Sequence, residues 1–239
     1  MQAAREPTHI DRSYDAELAA IRSQVIQMGE QVRRMLARSL DALFAGDAEE
    51  ARRIIAADRI VNRLEVDTDD LCLRVLARRQ PVASDLRFIA TALKINTDLE
   101  RVGDLCANIC EQIIALTGSV DRRIGDRLTA MGAHVRIMLD AALQAFVAGD
   151  VKAAQGVIDG DQVIDQAYVD VFAALFEAMR REPSSVPDGI RIQSIAKYLE
   201  RMGDHATNVA EMVIFMVRGL DVRHRGRLTA IGASTAGRS

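Results

Sequence analysis

The chain has 239 residues, 49% of them hydrophobic, and its 31 basic and 34 acidic side chains give a formal net charge of −3. The apolar content excludes a disordered chain, and the lack of a basic excess argues against a protein that binds nucleic acid. Aromatic residues make up 4%, with no Trp and only four Pro, so the composition favours long helices over a sandwich or barrel.

The N-terminal segment begins Met-Gln-Ala-Ala-Arg-Glu-Pro, without an apolar run, so we expect no signal peptide and a flexible stretch over residues 1–13. The late apolar run from Met212 to Val217 is far shorter than the roughly 20 residues of a transmembrane helix. The three cysteines, including Cys106 and Cys110, are too few for a disulfide framework and have no His at zinc-site spacing. We therefore expect a cytoplasmic protein with reduced, buried thiols.

Residues 14–118, the first unit, predict three long helices. In the first helix, apolar side chains recur every three or four residues from Leu18 to Leu43, as in a helical bundle. The segment Ala45-Gly46-Asp47 then predicts a helix end and a new start, because Gly favours the left-handed C-terminal conformation and Asp caps the next helix. The second helix is predicted over about 48–79, before Pro81, and the third over about 82–117.

Residues 119–220, the second unit, show the same order of signals. Apolar side chains recur from Ile124 to Ala142, and a second Ala-Gly-Asp segment follows at 148–150. Helices are then predicted over about 151–181 and 188–218, separated by Pro183 and Pro187. The remaining residues, 221–239, are rich in Gly, Ser, Thr and Ala, which is typical of a disordered tail.

The repeat is clearest in the third helix of each unit. Residues 93–111 match residues 193–211, and the segment Glu100-Arg101-Val102-Gly103-Asp104 corresponds to Glu200-Arg201-Met202-Gly203-Asp204. The sequence therefore predicts an all-α protein made of two tandem antiparallel three-helix bundles related by internal duplication.

A stripe of oxygen-bearing side chains follows each of these third helices, opposite the apolar face. The stripes comprise Glu100, Asp104, Asn108 and Glu111 in the first unit and Glu200, Asp204, Asn208 and Glu211 in the second. A polar stripe can simply be the solvated side of a helix. Carboxylates four residues apart repel each other by about 0.2–0.5 kcal/mol, however, and the recurrence in both units favours a function.

Each of these helices also has a glycine at its middle, Gly103 or Gly203, beside the stripe. Such a glycine costs about 1 kcal/mol relative to Ala and indicates close approach of a backbone or a ligand. Carboxylate and amide oxygens suit Mg, Ca, Mn or iron. We therefore predict a metal site in each unit, with Glu100, Asp104 and Asn108 as ligands in one and Glu200, Asp204 and Asn208 in the other. Further ligands or supporting groups are Glu111, Glu211 and the second-helix pairs Asp58 with Asn62 and Asp161 with Asp165. The alternative interpretation of these pairs is a buried polar group that is hydrogen-bonded to a neighbouring helix.

No catalytic constellation accompanies the stripes, and a redox oxidase is disfavoured. The sequence has no Gly-x-Ser-x-Gly motif and no Walker loop, and its only Glu-x-x-His spacing, from Glu6 to His9, contains Pro7. His205 adjoins Asp204 but has Leu105 as its counterpart, and we interpret it as a local feature. The alternative hypothesis is a carboxylate-bridged metal-binding protein or metalloenzyme on the helical bundle.

Four segments in order resemble the PhoU family of phosphate-uptake regulators. They are Arg79-Gln80-Pro81-Val82-Ala83-Ser84-Asp85-Leu86-Arg87, the two Glu-Arg-x-Gly-Asp-x-x-x-Asn segments that begin at Glu100 and Glu200, and Asp221-Val222-Arg223-His224. The resemblance covers about residues 10–225. It implies a cytoplasmic accessory protein of the phosphate-specific ABC transporter, which acts as an adaptor and not as an enzyme. Such a protein restrains uptake and the phosphate-starvation two-component response when phosphate is plentiful.

The resemblance also implies partners and a cofactor. The partners are the ATPase subunit of the transporter, the sensor histidine kinase and a second copy of the chain, with membrane contact only through partners. The candidate partner-contact residues are Arg79, Gln80, Pro81, Asp85, Arg87, Arg223 and His224. Some family members bind iron or zinc clusters through Glu/Asp-x-x-x-Asp motifs, which map onto Glu100 with Asp104 and Glu200 with Asp204. Asn62 stands where the second unit has Asp165, so the two sites differ in charge.

Overall fold

The computed structural model describes residues 9–222, with side chains from residue 12 onward. These residues form α-helices and one short 3₁₀ turn and contain no strand, which confirms the predicted all-α class. The elements are α1 (His9–Ala45), α2 (Ala48–Arg79), α3 (Ala83–Ala115), α4 (Arg122–Ala148), α5 (Val151–Arg181), the 3₁₀ turn Pro183–Ser185 and α6 (Val186–Arg218). Helix α1 begins ahead of residue 14, at which the sequence pattern starts the first unit.

The two Ala-Gly-Asp segments turn the chain as predicted. Gly46 and Gly149 adopt the left-handed conformation, with φ of 63° and 64°. The side chain of Asp47 accepts a hydrogen bond from the backbone N–H of Glu50, and that of Asp150 accepts from the first turn of α5. These caps satisfy backbone donors that a helix leaves free at its N-terminus, so α1 with α2 and α4 with α5 form antiparallel hairpins.

Each unit buries an apolar core between its three helices. In the first unit, Ile21, Ile54 and Leu99 come from three different helices and are at most 1% exposed. Full burial of one such side chain contributes about 1.5–3 kcal/mol, so these stripes hold each bundle together. The two bundles predicted from the duplication are confirmed.

The two units pack against each other with approximate two-fold symmetry, mainly through α3 with α6 and α1 with α4. A Cβ atom on Gly29 of α1 would collide with Leu143 of α4, and one on Gly132 of α4 would collide with Leu40 of α1. Gly132 and Leu40 are the repeat equivalents of Gly29 and Leu143, so the contact is reciprocal, as in an isologous interface.

The connection between the units is fixed to the start of α6. Asp188 accepts hydrogen bonds from the backbone N–H groups of Thr117 and Gly118 and from the Thr117 hydroxyl. Burial opposes the charged form, but these bonds prevail and lower the pKa of Asp188. Within residues 9–222 no helix combines the length and apolarity needed to cross a bilayer.

Candidate functional site

The two stripes lie along the seams between neighbouring helices, α2 with α3 and α5 with α6. A Cβ atom on Gly103 would lie 3.0 Å from Cγ1 of Val61 and 3.2 Å from Oδ1 of Asp58. One on Gly203 would lie 3.3 Å from Cγ2 of Ile164. The close approach indicated by the glycines is therefore that of side chains on the adjacent helix, which brings carboxylates of that helix beside the stripe.

In the first unit the structure gathers Asp58, Glu65, Glu100 and Asp104, which we call the first acidic cluster. Burial raises the pKa of Asp58 and of Glu100, and the nearby charge of Asp104 raises both further. Burial also raises the pKa of Glu65, with Asp69 and Asp104 adding to the effect. Each shift means that a partly desolvated carboxylate lies beside another negative charge.

Two side chains stabilise the carboxylates of the first acidic cluster, Asn62 by a hydrogen bond and Arg101 by its charge. Asn62 Nδ2 donates a hydrogen bond to Asp58 Oδ2 at 3.1 Å. Arg101 lies 3.5 Å from Glu100 and 3.3 Å from Asp104, measured between nitrogen and carboxylate oxygen. Arg101 is 56% exposed, so these ion pairs lie at the surface and are weak.

The second unit gathers Asp161, Asp165, Glu200 and Asp204, the second acidic cluster. Burial raises the pKa of Asp161, and the adjacent Asp165 raises it further. Burial likewise raises the pKa of Asp204, followed by the charges of Glu200 and Asp161. Lys197 Nζ donates to Glu200 Oε1 at 2.7 Å, which neutralises one edge of the cluster.

The remaining stripe residues lie outside the clusters. Asn108 and Glu111 follow Asp104 along α3, half-buried and exposed respectively. On α6, Asn208 Nδ2 donates to Asp98 Oδ1 of α3 at 3.1 Å. Asn208 and Glu211 line a groove between the two units. Asp161 and Asp204 of the second acidic cluster line the same groove, so the stripe on α6 continues from this cluster into the groove.

The clusters match a hard cation in the chemistry of their donors. Asp58 Oδ1 and Glu200 Oε2 are buried oxygens that accept no hydrogen bond, as a carboxylate reserved for a cation would be. Across residues 12–222, however, no three side chains of His, Cys, Asp or Glu are arranged so that they could hold a metal ion. The fit therefore rests on donor chemistry and on these two unpartnered atoms.

The groove between the units has a volume of about 1080 Å³ and is lined mainly by α3 and α6. Across it, His205 Nδ1 and Asp98 Oδ1 lie 2.8 Å apart, and each side chain is 17% exposed. His205, which the repeat pattern indicates to be a local feature, joins the two units. The missed signal is a break in the repeat, because Leu105 and Tyr198 occupy the positions equivalent to His205 and Asp98.

The segment from Arg79 to Arg87, predicted to contact partners, makes contacts within the chain. Arg79 Nε donates to Glu17 Oε2 at 2.8 Å, which lowers the pKa of Glu17. The hydroxyl of Tyr14 donates a hydrogen bond to Asp85. Burial together with this bond raises the pKa of Tyr14 to about 12. These contacts fix α1 to the turn between α2 and α3.

The other residues of this segment occupy the same end of the molecule. Arg87 Nε donates to the backbone carbonyl of Met216 at 3.2 Å, near the end of α6. Gln80 is exposed and left-handed, with φ of 50°, and Pro81 beside it is half-buried. The predicted contact residues Arg223 and His224 lie outside the described residues.

Comparison with known proteins is consistent with this architecture. The family model of the PhoU domain matches residues 25–113 and 128–213, once in each unit. A Burkholderia protein named "Phosphate-specific transport system accessory protein PhoU homolog" is 37% identical over 219 residues, 90% of this chain and 93% of that protein. The Escherichia coli protein named "Phosphate-specific transport system accessory protein PhoU" is 34% identical over 218 residues, 91% of this chain and 90% of that protein.

Solved structures show the same fold. The crystal structure of PhoU from Pseudomonas aeruginosa superposes with a TM-score of 0.83 at 35% identity, covering 87% of this chain and 100% of that one. The regulatory protein PhoU of the phosphate transport system from Streptococcus pneumoniae superposes with a TM-score of 0.82 at 29% identity, covering 87% of this chain and 99% of that one.

Proposed function

Because this chain belongs to the PhoU family, we propose that it is an accessory protein of a phosphate-specific ABC transporter and restrains phosphate uptake when phosphate is plentiful. The observation that carries this proposal is the match of both units to the PhoU domain, in a chain that covers at least 90% of relatives named as accessory proteins of that transport system. It acts by binding partners in the cytoplasm and not by catalysis.

The finer proposal is that the protein is an adaptor between the ATPase subunit of the transporter and the sensor histidine kinase of the phosphate-starvation response, and that it self-associates as a homodimer. The two acidic clusters support an adaptor role, because they are similar in position but their carboxylates are paired differently with basic side chains. Arg101 bridges Glu100 and Asp104 in one, whereas Lys197 pairs only with Glu200 in the other. Two related but unequal acidic surfaces suit two different partners with basic contact surfaces.

The proposal is tested by deleting the gene and measuring expression from a phosphate-starvation promoter in rich phosphate. We expect derepression in the deletion strain and repression again when the wild-type chain is supplied. Unchanged expression in the deletion strain would contradict the regulatory role.

A pull-down from cells grown at high and at low phosphate tests the adaptor role. The variants are Asp58→Asn with Asp104→Asn for the first cluster and Asp161→Asn with Asp204→Asn for the second. Asp41→Asn with Asp126→Asn, two exposed positions on α1 and α4, is the control for loss of charge alone. We expect each cluster pair to reduce recovery of a different partner. Equal recovery of ATPase and kinase with all variants would show that the clusters are not contact surfaces.

We further propose that the clusters bind metal ions, iron or zinc or the hard cations Mg, Mn or Ca. The observation in favour is that Asp58 Oδ1 and Glu200 Oε2 are buried without a hydrogen bond. The oxygens of Glu100 and Asp104 in one unit, and of Glu200 and Asp204 in the other, are the proposed ligands.

Elemental analysis of the purified wild-type protein, and of the variant Glu100→Ala with Asp104→Ala, tests this proposal. We expect stoichiometric metal that falls by half in the variant. A protein without bound metal after incubation with each ion would contradict it, and turnover with bound metal would favour the metalloenzyme alternative instead.

A further inference from the structure

One face of α5 exposes large apolar side chains. Val169, Phe172 and Phe176 are 54%, 49% and 55% exposed, and the chain has only six Phe in all. Their spacing of three and four residues places them on one side of the helix, as in the seam of a coiled coil. Adjacent exposed aromatic side chains in a soluble protein mark an interaction surface.

This face has no neighbour within the chain. Among the described residues, α5 packs only against α4, α6 and the 3₁₀ turn, which leaves its outer side at the edge of the molecule. The residues that extend the seam at its two ends carry opposite charges. Asp165 precedes the apolar residues and makes no hydrogen bond or ion pair within the described chain. Arg180 follows them, is 66% exposed and lies 2.8 Å from Glu177 of its own helix, so its remaining donors face outward.

The equivalent face of α2 is similar but interrupted. Val66 and Leu73, the counterparts of Val169 and Phe176, are 53% and 57% exposed. Between them, however, Asp69 stands where α5 has Phe172, and it accepts a hydrogen bond from Asn96 Nδ2 at 2.8 Å. A carboxylate held by α3 divides the apolar surface of α2, so only α5 offers a continuous apolar seam.

We propose that the exposed face of α5, formed by Val169, Phe172 and Phe176, is the interface through which two copies of this chain associate, with their α5 helices antiparallel around a two-fold axis. The proposal specifies the self-association proposed above and rests on it. A two-fold axis presents the same surface on both sides, so the interface must be self-complementary.

The charges of α5 meet this requirement. If the axis passes midway between Phe172 and Phe176, Phe172 of each copy faces Phe176 of the other. Asp165 then lies about 13.5 Å from the axis along the helix and Arg180 about 9 Å, at 1.5 Å per residue. In an antiparallel pair, Asp165 of one copy therefore lies within one helical turn of Arg180 of the other. Each end of the seam pairs a carboxylate with a guanidinium, and a parallel arrangement would place like charges together.

The test measures the dissociation constant of the purified full-length protein by sedimentation equilibrium. We expect the wild type to dimerise and Val169→Glu with Phe176→Glu to weaken dimerisation at least about tenfold. The matched control is Val66→Glu with Leu73→Glu, which introduces the same charges at the equivalent exposed positions of α2 and should leave the dissociation constant unchanged. Circular dichroism verifies that both variants remain helical.

A charge exchange tests the antiparallel arrangement. Asp165→Arg and Arg180→Asp should each weaken dimerisation, and the two together should restore it. A dimer unaffected by the α5 variants, or equally weakened by the α2 control, would overturn the interface but leave self-association standing. A wild type that is monomeric at all concentrations would overturn both. An α5 variant that loses recovery of a cellular partner without changing the oligomeric state would show that another protein occupies the face.

Discussion

The two acidic clusters occupy equivalent places in the two units, but their charges are balanced differently. In the first cluster Asn62 donates to Asp58, and Arg101 lies beside two carboxylates. In the second cluster, Asp165 replaces Asn62, and its negative charge adds to the rise in the pKa of Asp161. Duplication has therefore preserved three carboxylate positions of each cluster, whereas the fourth carboxylate is Glu65 in the first unit and Asp165 in the second.

The contact between the units shows the same divergence. On one side of the approximate two-fold axis, Asp98 and His205 form a polar link at the edge of a large groove. On the other side, Tyr198 and the buried Leu105 take their places. The small-residue contacts between α1 and α4 remain reciprocal. Packing between the repeats is thus conserved by symmetry, whereas polar groups differ where the two units have acquired different surroundings.

The largest expected effect distinguishes the two mid-helix glycines. Gly103→Val should lower the free energy of unfolding by about 2–3 kcal/mol, because its Cβ atom alone would lie 3.0 Å from the branched side chain of Val61. Gly203→Val should cost about 1 kcal/mol less, since its nearest neighbour, Ile164, is 3.3 Å away. Urea denaturation measures both values. Equal losses would show that the two seams are packed equally tightly.

The next effect concerns the polar link between the units. Asp98→Ala removes the acceptor of both His205 and Asn208, so we expect a loss of about 1–2 kcal/mol in the free energy of unfolding. Tyr198→Phe, at the equivalent position, should change it by less than about 0.5 kcal/mol. Thermal denaturation of both variants tests the asymmetry. A loss as large for Tyr198→Phe would mean that both sides of the axis depend on a polar contact.

Periodicity and capping residues were sufficient to predict the helices, because a bundle helix repeats its apolar residues at fixed spacing and Gly-Asp segments end one helix and start the next. The same reasoning singled out the two stripes and the second-helix residues Asp58 and Asp161, whose pKa values are raised by burial and then by neighbouring carboxylates. It also identified Gly103 and Gly203 as positions of close approach but did not show which group approaches them. All of these predictions depend on the pattern within one helix or on the internal repeat, and both are visible in the sequence.

Contacts that depend on how the two units pack were not predictable in this way. Asp98 and His205 are 107 residues apart, and the distance between them is set by the crossing of α3 and α6. Glu65 was missed although its spacing from Asp58 and Asn62 on α2 places it on the same face. Arg79, Asp85 and Arg87 belong to a conspicuous motif, but only the fold shows that they contact α1 and α6.

A smaller change in the free energy of unfolding is expected when one charge is removed from either cluster. Asp204→Asn should raise the free energy of unfolding by about 0.5 kcal/mol, because it removes an exposed charge that lies beside Glu200 and Asp161. Asp104→Asn should have less effect, since it also removes the ion pair with Arg101. Urea denaturation at pH 7 and low salt measures the difference. A stabilisation of equal size in both clusters would mean that Arg101 contributes nothing to the first.

The smallest effect is the dependence of stability on pH between 7 and 5. A raised pKa means that the folded state binds protons more readily than the unfolded state, so Asp161 and Asp204 destabilise the fold while ionised and do so less as the pH falls. The carboxyls with lowered pKa, such as those of Glu17 and Asp188, keep their stabilising charge until the pH reaches their ordinary range near 4, below this window. The free energy of unfolding should therefore rise slightly from pH 7 to pH 5. This dependence should be weakened more by the double variant of the second cluster, Asp161→Asn with Asp204→Asn, than by that of the first, Asp58→Asn with Asp104→Asn. Urea denaturation at several pH values measures the slopes, and identical slopes in the two double variants would show that both clusters carry the same electrostatic strain despite their different neighbours.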